Sequence, residues 1–515
     1  MKRSLIAGAV VLGSLVAAPA FASNCADLAG LASDKVQIFK AEAQQAQTLP
    51  PDPMSAMTGG SPKAIEVAAH CLVEGKIEDR EGVNGRYGIR FQMRLPENWN
   101  GRFLFQGGGG TDGFIAPAIG AIPSTGSTAT PALKRGYAVV SMDGGHDKMS
   151  LDFAQDQQAR LDLAYAAIGK VTDTAKALIR GFYGKPADES FFMGCSNGGR
   201  EAMMAAERYP LEFDGVVVGN PGFHLSRAAV GSVYDVLQFG AIAPNGKLHE
   251  ALTQQDLDTV SSAILAQCDA LDGSKDGIVA NYGQCHFDPA VLKGKLADNK
   301  LQALTAVMKG AHDANGNAIY TGWPWDPAIN TAGWRAWKLG TETVPALHAI
   351  LSKPSTEQLF STPPGPISNT PDFAELAKRV DDVGGYFDAN STWLTTYAQR
   401  GGKIIVFQGL ADPIFSADDI ANWYENTSAN TGKDVARLFM VPGMTHCGGG
   451  NGFEDFDPLT LMENWKASGN APAAMPAKAP SKPGSEMPLC AYPAYAKYHG
   501  GDKKALASYE CVAPQ

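Results

Sequence analysis

Three short stretches carry residue types that together could attack an acyl carbon. Gly194-Cys195-Ser196-Asn197-Gly198 follows the apolar run Ser190-Phe191-Phe192-Met193 and precedes the helix-forming Glu201 to Arg208. A strand that turns sharply through flanking glycines into a helix exposes the central serine hydroxyl above a sheet, so Ser196 reads as a nucleophile. Such a nucleophile needs a base, an acid to orient the base, and donors for the developing oxyanion. Asp412 follows the apolar run Lys403 to Phe407, and His446 follows Arg437 to Val441. His446 reads as the base and Asp412 as the acid that fixes its tautomer. A Gly/Ser turn alone is equally a surface turn. The order Ser196, Asp412, His446, each at a strand end, is what favours chemistry. His146, in Gly144-Gly145-His146-Asp147, is a second candidate base and reads instead as a residue that holds its loop by hydrogen bonds.

The donors have a candidate of their own. Arg102-Phe103-Leu104-Phe105-Gln106 has a buried-strand pattern and runs into Gly107-Gly108-Gly109-Gly110. Backbone N–H groups can approach an oxyanion where no side chain obstructs them, so Gly110 is expected to supply one donor and the N–H of Asn197 the other.

These residues require a sheet. Strand-like and helix-like patterns alternate from about Phe103 to Val218, with strands over Tyr137–Asp143 and Phe213–Gly219 and a helix near Leu161–Tyr183. That alternation implies an α/β protein with a mostly parallel sheet covered by helices on both faces. It stops after Asn220-Pro221-Gly222 and resumes at Lys403. The intervening Trp- and Pro-rich stretch reads as an insertion lying over the site as a lid. The expected division is 1–22 leader, 23–221 first part of the catalytic domain, 222–401 lid, and 402–515 second part. The Ala- and Gln-rich segment after Cys25 reads as a loosely structured arm, and Ala471 to Pro488 as an extended surface connection.

Met1-Lys2-Arg3, the apolar run Leu5 to Ala18 and Ala20-Phe21-Ala22 form a secretory signal peptide cut before Ser23, which implies a secreted or periplasmic protein. The net charge of −10 becomes more negative without Lys2 and Arg3, which argues against nucleic acid or an anionic membrane as partner. Eight cysteines fit an oxidising compartment. Proximity suggests Cys268 with Cys285 and Cys490 with Cys511, and elimination suggests Cys25 with Cys71. Cys195 and Cys447 adjoin the candidate nucleophile and base, and could be bonded if those two residues meet.

Cys268 to Ile278 places Asp269, Asp272 and Asp276 close together with turn-forming glycines. Hard cations take such oxygen ligands, so this stretch is a candidate calcium loop, the alternative being a solvated acidic turn. It is not an EF-hand, since the twelfth position counted from Asp269 is Ala280.

The Gly107–Gly110 loop, Cys195-Ser196, Asp412 and His446-Cys447 together resemble the tannase and feruloyl esterase family of secreted α/β-hydrolases, which includes the mono(2-hydroxyethyl) terephthalate hydrolases. The resemblance implies an α/β-hydrolase fold with a large inserted lid domain and a Cys195–Cys447 disulfide. It implies an oxyanion hole at Gly110 and Asn197, and structural Ca2+ held by Asp269, Asp272 and Asp276 with the carbonyls of Ser274 and Ile278. Trp337 and Phe415 match substrate-facing aromatics of the family, with core packing as the alternative for either. The implied activity is hydrolysis of small aromatic esters of the feruloyl or galloyl type through an acyl-enzyme. The rivals are terephthalate half-ester hydrolysis, a secreted peptidase, and a catalytically silent calcium-binding module. In the half-ester hydrolases a lid arginine grips the free carboxylate. The matching stretch here, Val344 to Leu359, holds no arginine and only Lys353. Unless a shift in register lets Arg335, Lys338 or Lys353 serve, neutral or phenolic acyl rings are expected to be preferred.

Overall fold

Side-chain alternation along five short strands sets the architecture. Phe103, Phe105, Phe192, Val216, Val218, Ile404, Val406, Leu438 and Met440 enter one core, while Leu104, Phe191, Met193, Val217, Ile405, Phe407, Phe439 and Val441 enter another. Successive strand residues point to opposite faces, so runs that are apolar throughout belong to a sheet covered on both sides. The computed structural model describes residues 24–514, and the expected leader lies outside them.

The sheet has nine strands: β1 (Val36–Gln44), β2 (His70–Gly82), β3 (Gly85–Pro96), β4 (Arg102–Gln106), β5 (Ala138–Met142), β6 (Glu189–Cys195), β7 (Gly215–Gly219), β8 (Lys403–Gly409) and β9 (Ala436–Val441). Their spatial order is β1-β2-β3-β5-β4-β6-β7-β8-β9. β5, β4, β6, β7, β8 and β9 are mutually parallel, with Phe105 opposite Phe192, Phe192 opposite Val216 and Val216 opposite Ile404. The parallel strands thus deliver their C-terminal ends, including Ser196, Asp412 and His446, to one edge. Helix α1 (Ala167–Tyr183) buries Ile168, Val171, Ala175, Leu178 and Ile179 on the first face beside α2 (Asn197–Arg208). Leu459, Met462 and Trp465 of the helix Pro458–Ser468 cover the second.

Two expectations need correcting. The arm after Cys25 is not loose: β1 to β3 form an antiparallel extension of the sheet, with Val36 opposite Ile77 and Cys71 opposite Leu95. β1 is missed because its Gln, Lys and Glu residues leave most of it partly exposed, so burial gives it no signature. The Ala471–Pro488 segment is extended, but Ala474–Lys478 and Glu486–Cys490 pair with each other and bury Met475, Ala477, Met487 and Leu489. Alternate residues there belong to the core, not the surface.

Between β7 and β8 the chain is built mainly of helices and short helical turns. Helix α3 (Leu225–Gly240) packs through Ala229, Val230, Val233 and Phe239, and α4 (Phe373–Phe387) through Val380 and Val383, into a core that also takes Phe153 and Leu163 from before the nucleophile and Ile414 and Phe415 after β8.

Candidate active site

Ser196 stands at the turn between β6 and α2 with φ 60° and ψ −124°, a conformation non-glycine residues seldom adopt. Backbone bonds hold it there. Its N–H donates to the Gly219 carbonyl at 3.0 Å, and its carbonyl accepts from Arg200 and Gly222 at 3.0 and 3.1 Å. The glycines are needed for close approach: a Cβ on Gly198 would lie 2.6 Å from the Gly108 oxygen, and one on Gly194 would lie 2.5 Å from the Gly198 carbonyl carbon.

His446 Nε2 lies 2.9 Å from Ser196 Oγ, and its Nδ1 lies 2.9 Å from Asp412 Oδ2. With Nδ1–H donating to the carboxylate, Nε2 is left to accept the serine proton. Asp412 is buried and held on both oxygens. Oδ1 accepts from the N–H groups of Ile414 and Phe415 at 2.8 and 3.1 Å, and Oδ2 accepts from Asn220 Nδ2 at 2.7 Å. The loop carrying His446 is fixed at both ends by buried carboxylates: Asp326 accepts from Gly443 N–H, and Glu454 from Gly449 and Gly450 N–H. Burial pushes Asp326 up to about 6 and raises Glu454 as well. His446, not His146, meets the serine. His146 is buried and stacked on Phe153 at 3.8 Å, so it holds its loop by ring packing, and burial drives its pKa down to about 4.

All eight cysteines are paired: Cys25–Cys71, Cys195–Cys447, Cys268–Cys285 and Cys490–Cys511. The second joins the neighbours of Ser196 and His446 across a sequence separation of 252 residues. Like Ser196, Cys447 has positive φ, at 55°.

Beside Ser196 opens a cleft of ≈ 150 Å3. Gly110 and Asn197 line it together with Ser196. The preceding loop N–H groups are committed elsewhere, Gly107 to the Met193 carbonyl, Gly108 to Glu201 and Gly109 to Asp112. Trp337 and Phe415 also line the cleft, with ring centroids 5.2 and 5.4 Å from that of His446. The remaining wall is apolar or hydroxylated, including Leu225, Ala229, Ser232, Ile350, Ser352 and Phe360, and among the described lining residues none is charged.

The cations that a register shift could have offered are engaged elsewhere. Arg335 donates to the carbonyls of Leu252 and His249 at 3.0 and 2.5 Å. Lys353 pairs with Glu357 at 2.7 Å. Lys338 is buried, 2.5 Å from Asp235 and 4.0 Å from the centre of the Trp323 ring. Burial lowers the Lys338 pKa and pushes Asp235 up to about 6.

In the acidic loop each carboxylate accepts backbone N–H groups: Asp269 from Gly277 at 3.0 Å, Asp272 from Ser274 and Ala280 at 3.0 and 2.9 Å, and Asp276 from Ile278 at 3.1 Å. Burial, reinforced by Asp276 and Asp269, pushes the Asp272 carboxyl up to about 7, and Ser274 Oγ is buried without a partner. All-oxygen donors carrying unbalanced negative charge suit a hard cation in kind. Among the described residues no trio of His, Cys, Asp or Glu is spaced as ligands of one ion.

Several supporting residues escape sequence reasoning. Asn220 sits at the end of β7 as Asp412 sits after β8, and that strand-end position is the signal for it. Arg200 and Glu201 are charges in the first turns of α2, buried completely. Nothing in the spacing of Asp235, Lys338 and His348 points to their meeting.

The chain matches the family described as tannase and feruloyl esterase over residues 71–512. It is 36% identical to a mono(2-hydroxyethyl) terephthalate hydrolase of Piscinibacter sakaiensis, over 90% of this chain and 88% of that one. It is 28% identical to a probable feruloyl esterase of Arthroderma benhamiae, over 84% and 83% of the two chains. Among solved structures, feruloyl esterase B from Aspergillus oryzae superposes with a TM-score of 0.77 at 22% identity, covering 96% of this chain and all of that one. Tannin acyl hydrolase from Aspergillus niger gives 0.70 at 21%, covering 94% and 91%. The two structures share the α/β-hydrolase fold, and with the family match along most of its length this chain belongs to the tannase and feruloyl esterase family.

Proposed function

We propose that this ester hydrolase cleaves esters of aromatic acids bearing neutral or phenolic substituents, of the feruloyl or galloyl type, through an acyl-enzyme on Ser196. The observation that carries the reading is the hydrogen-bonded chain Ser196–His446–Asp412 at the edge of an uncharged, aromatic-flanked cleft. As Ser196 Oγ bonds to the acyl carbon, its proton passes to His446 Nε2, and Asp412 stabilises the imidazolium. The N–H groups of Gly110 and Asn197 receive the oxyanion. His446 then protonates the leaving alkoxide, and water, deprotonated by the same nitrogen, releases the acid. Trp337 and Phe415 flank the acyl ring.

The segment 222–401 is the lid in this reading. Its loop would hold calcium through Asp269, Asp272 and Asp276 and the carbonyls of Ser274 and Ile278, where the ion would neutralise crowded carboxylates and brace the fold without entering the reaction. Four disulfides fit an oxidising compartment, and the secreted or periplasmic location rests on them and on the leader.

The 36% identity to a terephthalate half-ester hydrolase favours a second reading, in which the acyl ring carries a free carboxylate. Burying that anion in a cleft with no charged lining would return little of its desolvation cost. Assay of methyl ferulate, methyl gallate, a terephthalate half-ester and its neutral diester with the purified protein tests the proposal. Preference for the neutral esters supports it, and preference for the half-ester overturns it.

A further inference from the structure

Behind the glycine loop lies a group of buried charges that the proposed reaction does not use. Asp112 Oδ1 accepts from Gly109 N–H and from Asn197 Nδ2, both at 3.0 Å. Glu201 Oε2 accepts from Gly108 N–H at 3.0 Å, and its Oε1 from Asn197 Nδ2 at 3.3 Å. The two carboxyls therefore grip the backbone immediately before Gly110 and the side chain of Asn197, the two residues whose N–H groups would receive the oxyanion. Asp112 is 1% exposed and Glu201 0%. Asp112 Oδ2 is buried with no hydrogen-bond partner among the described residues.

Charge balance requires a proton on this pair. Arg200 is the cation acting on both carboxyls, and it too is fully buried. Its Nε donates to Asn197 Oδ1 at 2.7 Å, and its terminal nitrogens donate to the carbonyls of Ala164, Leu163 and Phe387. The other carboxylates on neighbouring elements are occupied: Asp388 accepts from Ser226 at 2.9 and 2.6 Å, Asp143 pairs with Arg90 at 2.6 Å, and Asp162 with Lys170 at 2.8 Å. One guanidinium beside two carboxyls leaves the group neutral when one proton is retained, and a second buried negative charge would stand uncompensated. Burial, followed by the charge of Glu201, raises Asp112 well above the carboxylate range, and burial raises Glu201 too, so the pair retains a proton.

We propose that Asp112 and Glu201 are positioning residues for ester cleavage: their carboxyls hold the Gly108–Gly109 backbone and the Asn197 side chain, and so set the two oxyanion donors against each other. This rests on the assignment of Ser196, Gly110 and Asn197 above. Loss of the proton at alkaline pH sets two like charges against each other at that point and loosens the donors. Since the oxyanion forms only on the way to the transition state, the effect falls on kcat and not on KM.

The test uses the full mature chain with methyl ferulate. Glu201→Ala and Asp112→Ala are expected to lower kcat about 10- to 100-fold with KM changed less than about threefold. Asp112→Asn, which can still accept from Gly109 and Asn197 and carries no titrating proton, should recover most of the loss and flatten the alkaline fall of kcat expected of the wild type. If the alanine variants do not fold, Asp112→Asn and Glu201→Gln still report through the alkaline limb. An alkaline limb unchanged in both isosteres, or alanine variants that fold and keep wild-type kcat, overturns the clamp. Ser196→Ala is assayed alongside: full turnover there rejects the underlying site, whereas a dead Ser196→Ala with unaffected Asp112 and Glu201 variants rejects the clamp alone.

Discussion

The cleft is built by two halves that are held in opposite ways. On the sheet side, Ser196, Asp412 and His446 are over-determined: a strained turn carries three backbone bonds, a carboxylate is satisfied on both oxygens, and a disulfide ties the neighbours of nucleophile and base. On the helical side, the residues from Leu225 to Phe360 face the cleft with apolar or hydroxyl groups, and the buried cation of that half, Lys338, is spent on Asp235. Strain and buried charge persist only where the surroundings enforce them, so the first half is the one organised for a reaction coordinate. The second offers shape and little else, which under the proposed function would discriminate acyl groups by fit.

The difference can be broken hardest on the sheet side. Ser196→Ala should lower kcat by about 10^4-fold or more while leaving the thermal midpoint within a degree or two, because it removes the nucleophile and one small atom. Steady-state assays and a melting curve check both halves of that statement. Cys195→Ser with Cys447→Ser comes next. Closing so long a loop stabilises by up to about 5 kcal/mol in the chain-entropy model. Denaturant titration should show a large part of that lost, and kcat should fall more than KM as the serine and histidine loops drift apart. A double variant with wild-type stability and kcat would show that the backbone bonds alone hold the site.

The same contrast explains what is legible in the sequence. Strands β4 to β9 are readable because parallel strands buried on both faces are apolar throughout, and the residues at their C-terminal ends follow from strand order. β1 is not, since a half-exposed strand rich in Gln, Lys and Glu owes its pairing to β2 and not to its own pattern. The tail shows the intermediate case: Met475 and Ala477 alternate with the exposed Pro476 and Lys478, which imitate a linker. In the site, residues that supply chemistry carry motifs, whereas Asn220, Asp326, Asp112 and Glu201 act by hydrogen-bonding backbone or side chains brought near only by the fold. Long-range contacts of that kind leave no local spacing to read.

On the helical side, metal removal should act on stability and spare the chemistry. If the acidic loop binds calcium, saturation at 100 times the dissociation constant stabilises by about 2.7 kcal/mol. Chelation should therefore lower the melting temperature, and added Ca2+ should restore it, with kcat unchanged below the transition. An unaltered melting curve together with no calcium by elemental analysis would favour the solvated turn. The uncharged wall predicts a comparable effect on selectivity. A neutral terephthalate diester should exceed its half-ester in kcat/KM by roughly tenfold to a hundredfold, the worth of one missing charged hydrogen bond.

The smallest effect separates the two sides within a single helix. Trp334 and Trp337 lie one turn apart on Ala332–Lys338, yet Trp334 is 3% exposed and packs edge-on to Phe239 in the helical core, while Trp337 lines the cleft beside His446. Trp334→Ala opens a cavity in a closed core and should cost about 3–5 kcal/mol of stability. Trp337→Ala removes a ring that is already half open to the cleft, so the stability loss should be a fraction of that. Its cost should appear in catalysis: an aromatic pair is worth about 0.5–1.5 kcal/mol beyond area burial, which translates into a loss of roughly two- to tenfold in kcat/KM for a feruloyl ester. An ester with an aliphatic acyl group cannot stack and should lose less. Equal losses for aromatic and aliphatic esters, or a stability loss matching that of Trp334→Ala, would place Trp337 with the core and leave Phe415 as the aromatic wall.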